Sequence, residues 1–321
     1  MQWCAELGLF RWFIPEAYGG WGWSETQILE GYLAISQSCL TTAFVITQWH
    51  AACRRIVASE NQPLKDRLLP DMASGEKFAT VGISHLTTSR QHVARPVLTA
   101  ELLEDGGMLL DGYSPWVTAA PAADVIVIGA SLSDGRQALV ALPAERSGVQ
   151  PGPGQSLMAL TASRTDQVKL QQVRVAADEI LAGPVKDLMS HHAGGGAGGL
   201  QTSTLAVGLT MAAVDFIRQQ AELRSELQQI AQKLDGDTQQ LRRALVDLTT
   251  GGQSITAGEL RQRANSLALR ATQAALSAAK GAGYLSGHPA GRMAREAMFF
   301  LVWSCPQPVV TANLCELAQL H

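Results

Sequence analysis

The chain has 321 residues, of which 46% are hydrophobic and 17% are charged, with a formal net charge of -3. A single hydrophobic core stops growing at roughly 250 residues, so this length predicts two or three packed units. A nearly neutral chain offers no electrostatic footprint for nucleic acid or anionic lipid, which favours a small-molecule ligand. The low charge also suits subunits that bury large faces against copies of themselves, so we expect a homo-oligomer.

The cysteines and the first residues bear on the cellular compartment. The cysteine number is odd, the spacing is wide and no Cys-x-x-Cys pair occurs, which argues against a disulfide framework or a zinc site. We therefore expect buried thiols in a reducing cytoplasm. The opening MQWCAELGLFRWFIPEAYGG lacks the pattern of a signal peptide, and its charged residues interrupt any membrane span, so secretion is not expected. The cysteines are Cys4, Cys39, Cys53, Cys305 and Cys315.

Residues 1–77 are predicted to form an N-terminal helical domain. Apolar residues recur at helical spacing from Ser24 to about Ala73. Ser24 followed by Gln27 predicts a capping box at the start of one helix, and Pro63 predicts the start of another.

Residues 78–183 are predicted to form a small β-barrel or sandwich. Six short runs rich in Val, Ile, Leu and Thr are separated by turn signals such as Asp105-Gly106-Gly107 and Ser133-Asp134-Gly135. The runs are FATVGIS, ARPVLTAELL, GMLLDGYSPWVT, ADVIVIGASL, RQALVALP and DQVKLQQVRV.

The helical period returns after Gly183-Pro184 and predicts a C-terminal helical bundle over residues 184–321. Helices, then strands, then helices give an α+β fold class by segregation. The glycine run Gly194 to Gly199 lacks both a preceding strand and a Gly-Lys-Ser/Thr ending. It is interpreted as a flexible helix entry or a close helix crossing rather than a phosphate loop.

Five stretches of the sequence, in order along almost the whole chain, resemble the acyl-CoA dehydrogenase family. They are ELGLFRWFIPEAYGGWG, LDGYSPWVTAAPAADVIVIGA, the segment from Gly148 to Pro184, AVGLTMAAVDFIRQQAELR and KGAGYLSGHPAGRMAREAMFF. The resemblance implies the family's helical, β and bundle domains and a dimer or dimer of dimers. This chain begins late relative to typical members, without their first few helices, so we expect one wall of the substrate pocket to be thinner.

The same resemblance implies residues that hold an FAD cofactor. Trp116, within Trp116-Val117-Thr118, corresponds to a tryptophan that packs beside the flavin ring, and Thr118 to a threonine that hydrogen-bonds the ring. Ser84 falls where the family has a threonine contacting the ring, and it keeps a hydroxyl. For a tryptophan between apolar strands the alternative is an ordinary core residue.

The dinucleotide end of the cofactor is implied by a second group of residues. Arg224 aligns with an arginine that binds the pyrophosphate across a subunit interface. The Phe-Gly that follows it in the family is absent, so a solvated helix residue is the alternative. Gly281 and Gly283 keep a glycine-rich turn that lets backbone approach the adenosine end, although Ser277 replaces the usual glutamine.

Several neighbouring residues carry open alternatives. His85 is the histidine expected to approach a flavin, in a catalytic role, as a loop contact or as an exposed residue. Arg90 lies in the altered loop after Ser84, as a phosphate ligand or an exposed residue. His191 and His192 are adjacent, so they point about 100 degrees apart on a helix and do not form a metal pair.

The base position of the family carries Ser304, within Trp303-Ser304-Cys305-Pro306, where relatives have Tyr-Glu-Gly-Thr. Proton removal beside a thioester carbonyl requires a carboxylate, and a serine hydroxyl does not serve unaided. The alternative family site on the first bundle helix falls at Gly198 and Gly199. Glu296 is interpreted as an ion-pair partner that supports its helix. The Cys305 thiol is interpreted as inert and buried rather than nucleophilic.

Three functional hypotheses follow. The first is an FAD-dependent, cytoplasmic oxidoreductase of fatty acid metabolism that acts on the CH–CH group of an acyl-CoA-like thioester, with an unidentified base and electron acceptor. The second is a flavin monooxygenase that hydroxylates aromatic or sulfur compounds and needs a reductase and oxygen. The third is a catalytically silent binding partner, or one half of a heteromer with a complete paralogue.

Overall fold

In the computed structural model, residues 1–87, 96–191, 199–304 and 306–320 are described. The α-helices of these ranges are α1 (Gln2–Glu6), α2 (Glu25–Ser38), α3 (Leu40–Val57), α4 (Gln62–Ser74), α5 (Ser84–Thr87), α6 (Leu188–His191), α7 (Gln201–Ala221), α8 (Gln228–Thr249), α9 (Ala257–Ala278), α10 (Pro289–Ala297) and α11 (Gln307–Leu317). The strands are β1 (Ala79–Gly82), β2 (Leu98–Leu102), β3 (Met108–Val117), β4 (Val125–Ser131), β5 (Gln137–Pro143), β6 (Val149–Pro151), β7 (Asp166–Val175) and β8 (Ile180–Val185).

The predicted order of helices, strands and helices is confirmed, and with it the α+β fold class. By its contacts the chain forms two compact units. The first unit comprises Met1–Trp23, Val45–Ser156 and Thr161–Ala197, and the second comprises Ser24–Phe44, Leu157–Leu160 and Gly198–His321. The division into domains at 1–77, 78–183 and 184–321 stays a prediction.

The first unit contains one sheet, with strand order β6-β7-β3-β2-β4-β5-β8 and with β1 paired to β4. All seven residues of β4, VIVIGAS, are buried, as its continuous apolar run VIVIGA predicts for a central strand. All six predicted runs contain a strand. The remaining strands β6 and β8 were not predicted. The core of the sheet is built from Val, Leu, Ile and Ala side chains such as Leu110, Ile128 and Val173.

The second unit is a helical bundle. In α8 the buried residues recur every three or four positions, at Ala231, Leu234, Thr238, Leu241 and Leu245, which gives the helix one apolar face. None of the helices in the described ranges is both long and apolar enough to cross a membrane.

Local sequence signals set several helix ends. The capping box is confirmed at α2, where Ser24 Oγ accepts from the Gln27 backbone N–H and Gln27 Oε1 accepts from the Ser24 backbone N–H. The helix start at Pro63 is also confirmed, since Pro63 lies in the first turn of α4. Of the free thiols in the described chain only Cys53 is buried, so the expectation of buried thiols is wrong for Cys4, Cys39 and Cys315, which are half-buried.

Candidate functional site

Trp116 lies on an irregular end of β3 in the first unit. The pairing of β3 with β7 shifts register between Ser114 and Val117. Within this bulge Trp116 has φ 56°, a left-handed conformation that few bulky residues adopt. Its neighbour Val117 is fully buried, whereas Trp116 remains 61% exposed. The backbone therefore presents a flat aromatic side chain at the surface rather than in the core.

Ser84 and His85 start α5, and their side chains contact β3, which carries the bulge, and β4. Ser84 Oγ donates to the Pro115 carbonyl at 2.7 Å and keeps lone pairs that can accept a further bond. His85 Nε2 lies 2.8 Å from the Gly129 carbonyl of β4. Burial lowers the pKa of His85, although the bond to Gly129 opposes that shift, and the net lowering favours the neutral ring.

Thr118 is placed in the interior. It is 1% exposed, and its Oγ1 lies 3.0 Å from Thr165 Oγ1. Thr165 in turn lies 2.8 Å from Ser163 Oγ, so three hydroxyls form a buried chain. The carbonyl of Thr118 accepts from the hydroxyl of Thr80 at 2.7 Å. To donate a hydrogen bond to a ligand, the hydroxyl of Thr118 would have to accept from Thr165 rather than donate to it.

In the second unit Arg224 lies beside the glycine-rich turn. Its Nη2 donates to the Ala278 carbonyl at 2.6 Å and to Gln220 Oε1 at 3.0 Å. Ala278 is the last residue of α9, where a cation is favoured by the helix dipole. Within the described chain no hydrogen bond occupies Nε or Nη1 of Arg224. The guanidinium is thus anchored through one nitrogen and offers the other two.

The two glycines of the turn differ. A Cβ added to Gly283 would lie 2.8 Å from Ala279 Cβ and 2.9 Å from Leu276 Cδ1, so close packing requires glycine there. A Cβ at Gly281 would meet nothing within 4 Å. Only Gly281 leaves its backbone open to the approach of a ligand.

Ser304 lies next to a cluster of aromatic rings in the second unit. It has φ 48°, and the ring of the preceding Trp303 stacks on Phe299 with centroids 4.9 Å apart. Phe44 meets the Trp303 ring edge-on at 5.0 Å. The Trp303 carbonyl accepts from Arg261 Nη2 at 2.8 Å. The half-buried Ser304 hydroxyl, which follows this cluster in the chain, is not by itself a base for proton removal.

The buried carboxylate of Glu296 is paired within its own helix. Its Oε1 lies 3.8 Å from Arg292 Nε, one helical turn earlier on α10, in agreement with the predicted ion pair. Burial raises the pKa of Glu296, and Arg292 and Arg295 oppose that shift. At the alternative family position Gly199 carries no side chain, while Gly198, Arg90, His192, Cys305 and the side chain of His191 lie outside the described residues.

Of the predicted residues, Ser84, Trp116, Val117 and Thr118 are brought together in the first unit, and Arg224 with Gly281 and Gly283 in the second. Sequence reasoning missed Thr165 and Ser163. The pairing of β3 with β7 reveals them, because it aligns Val117 with Asp166 and so places Thr165 near Thr118.

Residues 1–76 match the family model of the acyl-CoA dehydrogenase N-terminal domain. A probable acyl-CoA dehydrogenase of Bacillus subtilis is 28% identical over 181 residues, which are 55% of this chain and 30% of that protein. The probable acyl-CoA dehydrogenase YngJ of the same organism is 23% identical over 91% of this chain and 82% of its own length. Dibenzothiophene monooxygenase of Rhodococcus qingshengii is 23% identical over 55% of this chain and 43% of that protein. Two of these three matches span less than half of the relative.

Two solved structures share the fold. Butyryl-CoA dehydrogenase from Megasphaera elsdenii superposes with a TM-score of 0.84 at 18% identity, covering 98% of this chain and 88% of that one. The complex of TdsC from Paenibacillus sp. A11-2 with FMN and indole superposes with a TM-score of 0.81 at 16% identity, covering 98% and 89%.

The residues present fit a flavin. An exposed indole and the hydroxyl of Ser84 suit the ring, because a flavin needs a flat packing surface and hydrogen-bond partners at its edge. The two unengaged nitrogens of Arg224 and the open backbone at Gly281 suit phosphate and adenosine groups.

Proposed function

Because this chain belongs to the acyl-CoA dehydrogenase family, we propose that it is a flavin-dependent oxidoreductase with FAD as its cofactor. The observation that carries the proposal is the exposed indole of Trp116, held in a left-handed conformation on the β3 bulge. Backbone strain of this kind costs about 1–3 kcal/mol and persists where the surroundings impose it, commonly at functional sites.

The residues of the chain take defined roles in this proposal. Trp116 packs beside the flavin ring. The hydroxyl of Ser84 accepts a hydrogen bond at the edge of the ring while it continues to donate to the Pro115 carbonyl. Thr118 contributes its hydroxyl when Thr165 turns to donate to it. In a homodimer or homotetramer, Arg224 binds the pyrophosphate of the FAD held by a neighbouring subunit. The open backbone at Gly281 leaves room for the adenosine end of FAD. When bound, the flavin supplies an acceptor for a hydride.

For the family's usual reaction, the substrate is an acyl-CoA-like thioester that is oxidised at its CH–CH group. That reaction needs a base to remove the proton next to the carbonyl. At the family's base position this chain has Ser304, whose hydroxyl makes no hydrogen bond within the described residues to a group that would activate it. Dehydrogenation therefore requires a base that the described residues do not identify.

The second candidate function is flavin-dependent monooxygenation, and Ser304 is the observation that favours it. Hydroxylation of an aromatic or sulfur compound requires no proton removal beside a carbonyl, so a serine is tolerated at the base position. The resemblance to dibenzothiophene monooxygenase supports the same reading. A monooxygenase needs a reductase and oxygen as its partners, whereas a dehydrogenase reduces its flavin with substrate alone.

Flavin binding is tested first. The purified chain is titrated separately with FAD and FMN, followed by visible absorbance and flavin fluorescence. We expect saturable binding that Trp116→Ala weakens at least tenfold. Trp3→Ala is the matched control, since Trp3 is also an exposed tryptophan of the first unit, at 79%, and should leave the affinity unchanged. Absence of binding to either flavin would refute both enzymatic functions and leave the silent partner.

The reaction is tested next on the flavin-loaded protein. Bleaching of the flavin by acyl-CoA esters without oxygen would establish the dehydrogenase. A lack of bleaching, together with oxygenation of indole or dibenzothiophene when a flavin reductase and NADH are supplied, would establish the monooxygenase. Binding without either reaction would contradict both chemistries.

A further inference from the structure

We propose that His85 is a positioning residue that holds the Trp116 bulge through a neutral imidazole bridging β4 and β3. On one side its Nε2 meets the Gly129 carbonyl of β4 at 2.8 Å. On the other side its Nδ1 lies 3.5 Å from Ser114 Oγ of β3. Ser114 stands where the register of β3 shifts, two residues before Trp116.

The hydrogen bonds fix the tautomer of the ring. A carbonyl oxygen only accepts, so Nε2 must carry the proton that bonds Gly129. In a neutral ring Nδ1 is then left as an acceptor that faces the hydroxyl of Ser114. An imidazolium would carry protons on both nitrogens and could not accept from Ser114. Burial lowers the pKa of His85, which is consistent with a neutral ring.

Two glycines on the strands beneath the short helix α5 make room for this contact. A Cβ at Gly129 would lie 2.4 Å from Leu86 Cδ1, so the glycine leaves a notch in β4 that the buried Leu86 side chain fills. A Cβ at Gly82 would lie 2.8 Å from Ser114 Oγ, so a second glycine makes room for the hydroxyl that faces His85. The first glycine therefore lets α5 pack closely against β4, and the second makes room for the hydroxyl that His85 faces.

The bulge needs such support because Trp116 is strained. A residue other than glycine is disfavoured in the left-handed region because its Cβ crowds the following carbonyl oxygen. The bond from Ser84 to the Pro115 carbonyl fixes the peptide immediately before Trp116. His85 fixes the residue before that one and ties it to β4. Two consecutive residues of α5 thus hold two consecutive residues of β3, and these bonds set the position of the Trp116 indole.

The effect of His85 on Trp116 stands on this geometry alone, and its effect on flavin affinity rests on the proposed function. The test uses full-length protein labelled with 5-fluorotryptophan, in which the resonance of Trp116 is assigned by comparison with Trp116→Phe. His85→Ala removes both bonds, whereas His85→Gln keeps an amide donor for Gly129. The cofactor-free protein is measured by fluorine NMR, and flavin affinity is measured separately.

We expect His85→Ala to shift or broaden the Trp116 resonance and to weaken flavin binding at least tenfold, with His85→Gln restoring most of both. An unchanged Trp116 resonance in His85→Ala would overturn the proposal, even if the melting temperature falls. Should His85→Ala fail to fold, Ser114→Ala decides: it removes only the Nδ1 contact, and an unchanged resonance there overturns the bridge. A wild-type protein that does not bind flavin would refute the proposed function, but it would leave the effect of His85→Ala on the Trp116 resonance as a separate test.

Discussion

Gly208 offers a direct test of how the bundle is packed, because its substitution by alanine should act against the usual trend. In an exposed helix interior, Gly→Ala stabilises a protein by about 1 kcal/mol. Gly208 lies in α7 where that helix crosses α2, and an added Cβ would lie 1.9 Å from Ser36 Oγ and 2.9 Å from the Leu33 carbonyl. Ordinary contacts begin near 3.4 Å, so the two helices must separate.

The magnitude follows from the two opposing contributions. Forcing an extra methyl group into a packed core costs about 1–3 kcal/mol. Ser36 Oγ cannot turn away freely, since it donates to the Tyr32 carbonyl at 2.6 Å, and the loss of that bond costs about a further 1 kcal/mol. Subtracting the gain in helix propensity, we expect Gly208→Ala to lower the free energy of unfolding by about 2 kcal/mol.

The control is another helical glycine. Gly236 is exposed on α8, and a Cβ there would meet nothing within 4 Å, so Gly236→Ala should stabilise by about 1 kcal/mol. Urea unfolding followed by circular dichroism measures both variants. Adding Ser36→Ala to Gly208→Ala removes the closest contact and should restore part of the loss. A Gly208→Ala variant as stable as Gly236→Ala would refute the described crossing of α2 and α7.

Three further predictions concern other sites. Glu179 is buried, which by itself raises its pKa, but bonds from Arg146 at 2.5 and 2.6 Å and from the Ala176 N–H lower the pKa below its usual value. A lowered pKa stabilises the fold above the unfolded-state pKa, near 4.3, and that contribution is lost as pH falls through the folded pKa. Glu179→Gln weakens the charge-assisted bonds from Arg146, so it should lower the free energy of unfolding by about 2–3 kcal/mol at pH 7 and flatten the fall of stability at acid pH measured by urea unfolding. Ser304→Glu should create thioester-dependent bleaching of the flavin that the neutral control Ser304→Gln lacks, and equal inactivity of the two in anaerobic titrations would count against the assigned base position. Thr256→Ala removes the capping box of α9 and should lower the free energy of unfolding by about 1 kcal/mol, as measured by calorimetry. An unchanged free energy of unfolding would show that the cap contributes nothing.

Signals contained within a few residues were readable from the sequence. The capping box of Ser24 and Gln27 spans four residues, and the strand β4 begins with an unbroken apolar run. The strand β6 has only three residues, and β8 contains Gly183-Pro184, which reads as a turn. Both strands form because neighbouring strands pair with them, and that pairing is not encoded in their local pattern.

The candidate site depends still more on distant pairing. The hydroxyl of Thr118 is engaged by Thr165, which is 47 residues away, and Arg224 is anchored at Ala278, 54 residues away. Neither bond leaves a local signal, so sequence reasoning placed both residues near a ligand without their intrachain partners. The exposure of Trp116 likewise results from a register shift that only the sheet reveals.

Titration of the purified chain with FAD, followed by visible absorbance, tests whether the Trp116 bulge binds a flavin. We expect a saturable change in the flavin spectrum for the wild type and for Trp3→Ala, and binding at least tenfold weaker for Trp116→Ala. A spectrum identical to free FAD, or equal affinity in Trp116→Ala and wild type, would contradict it.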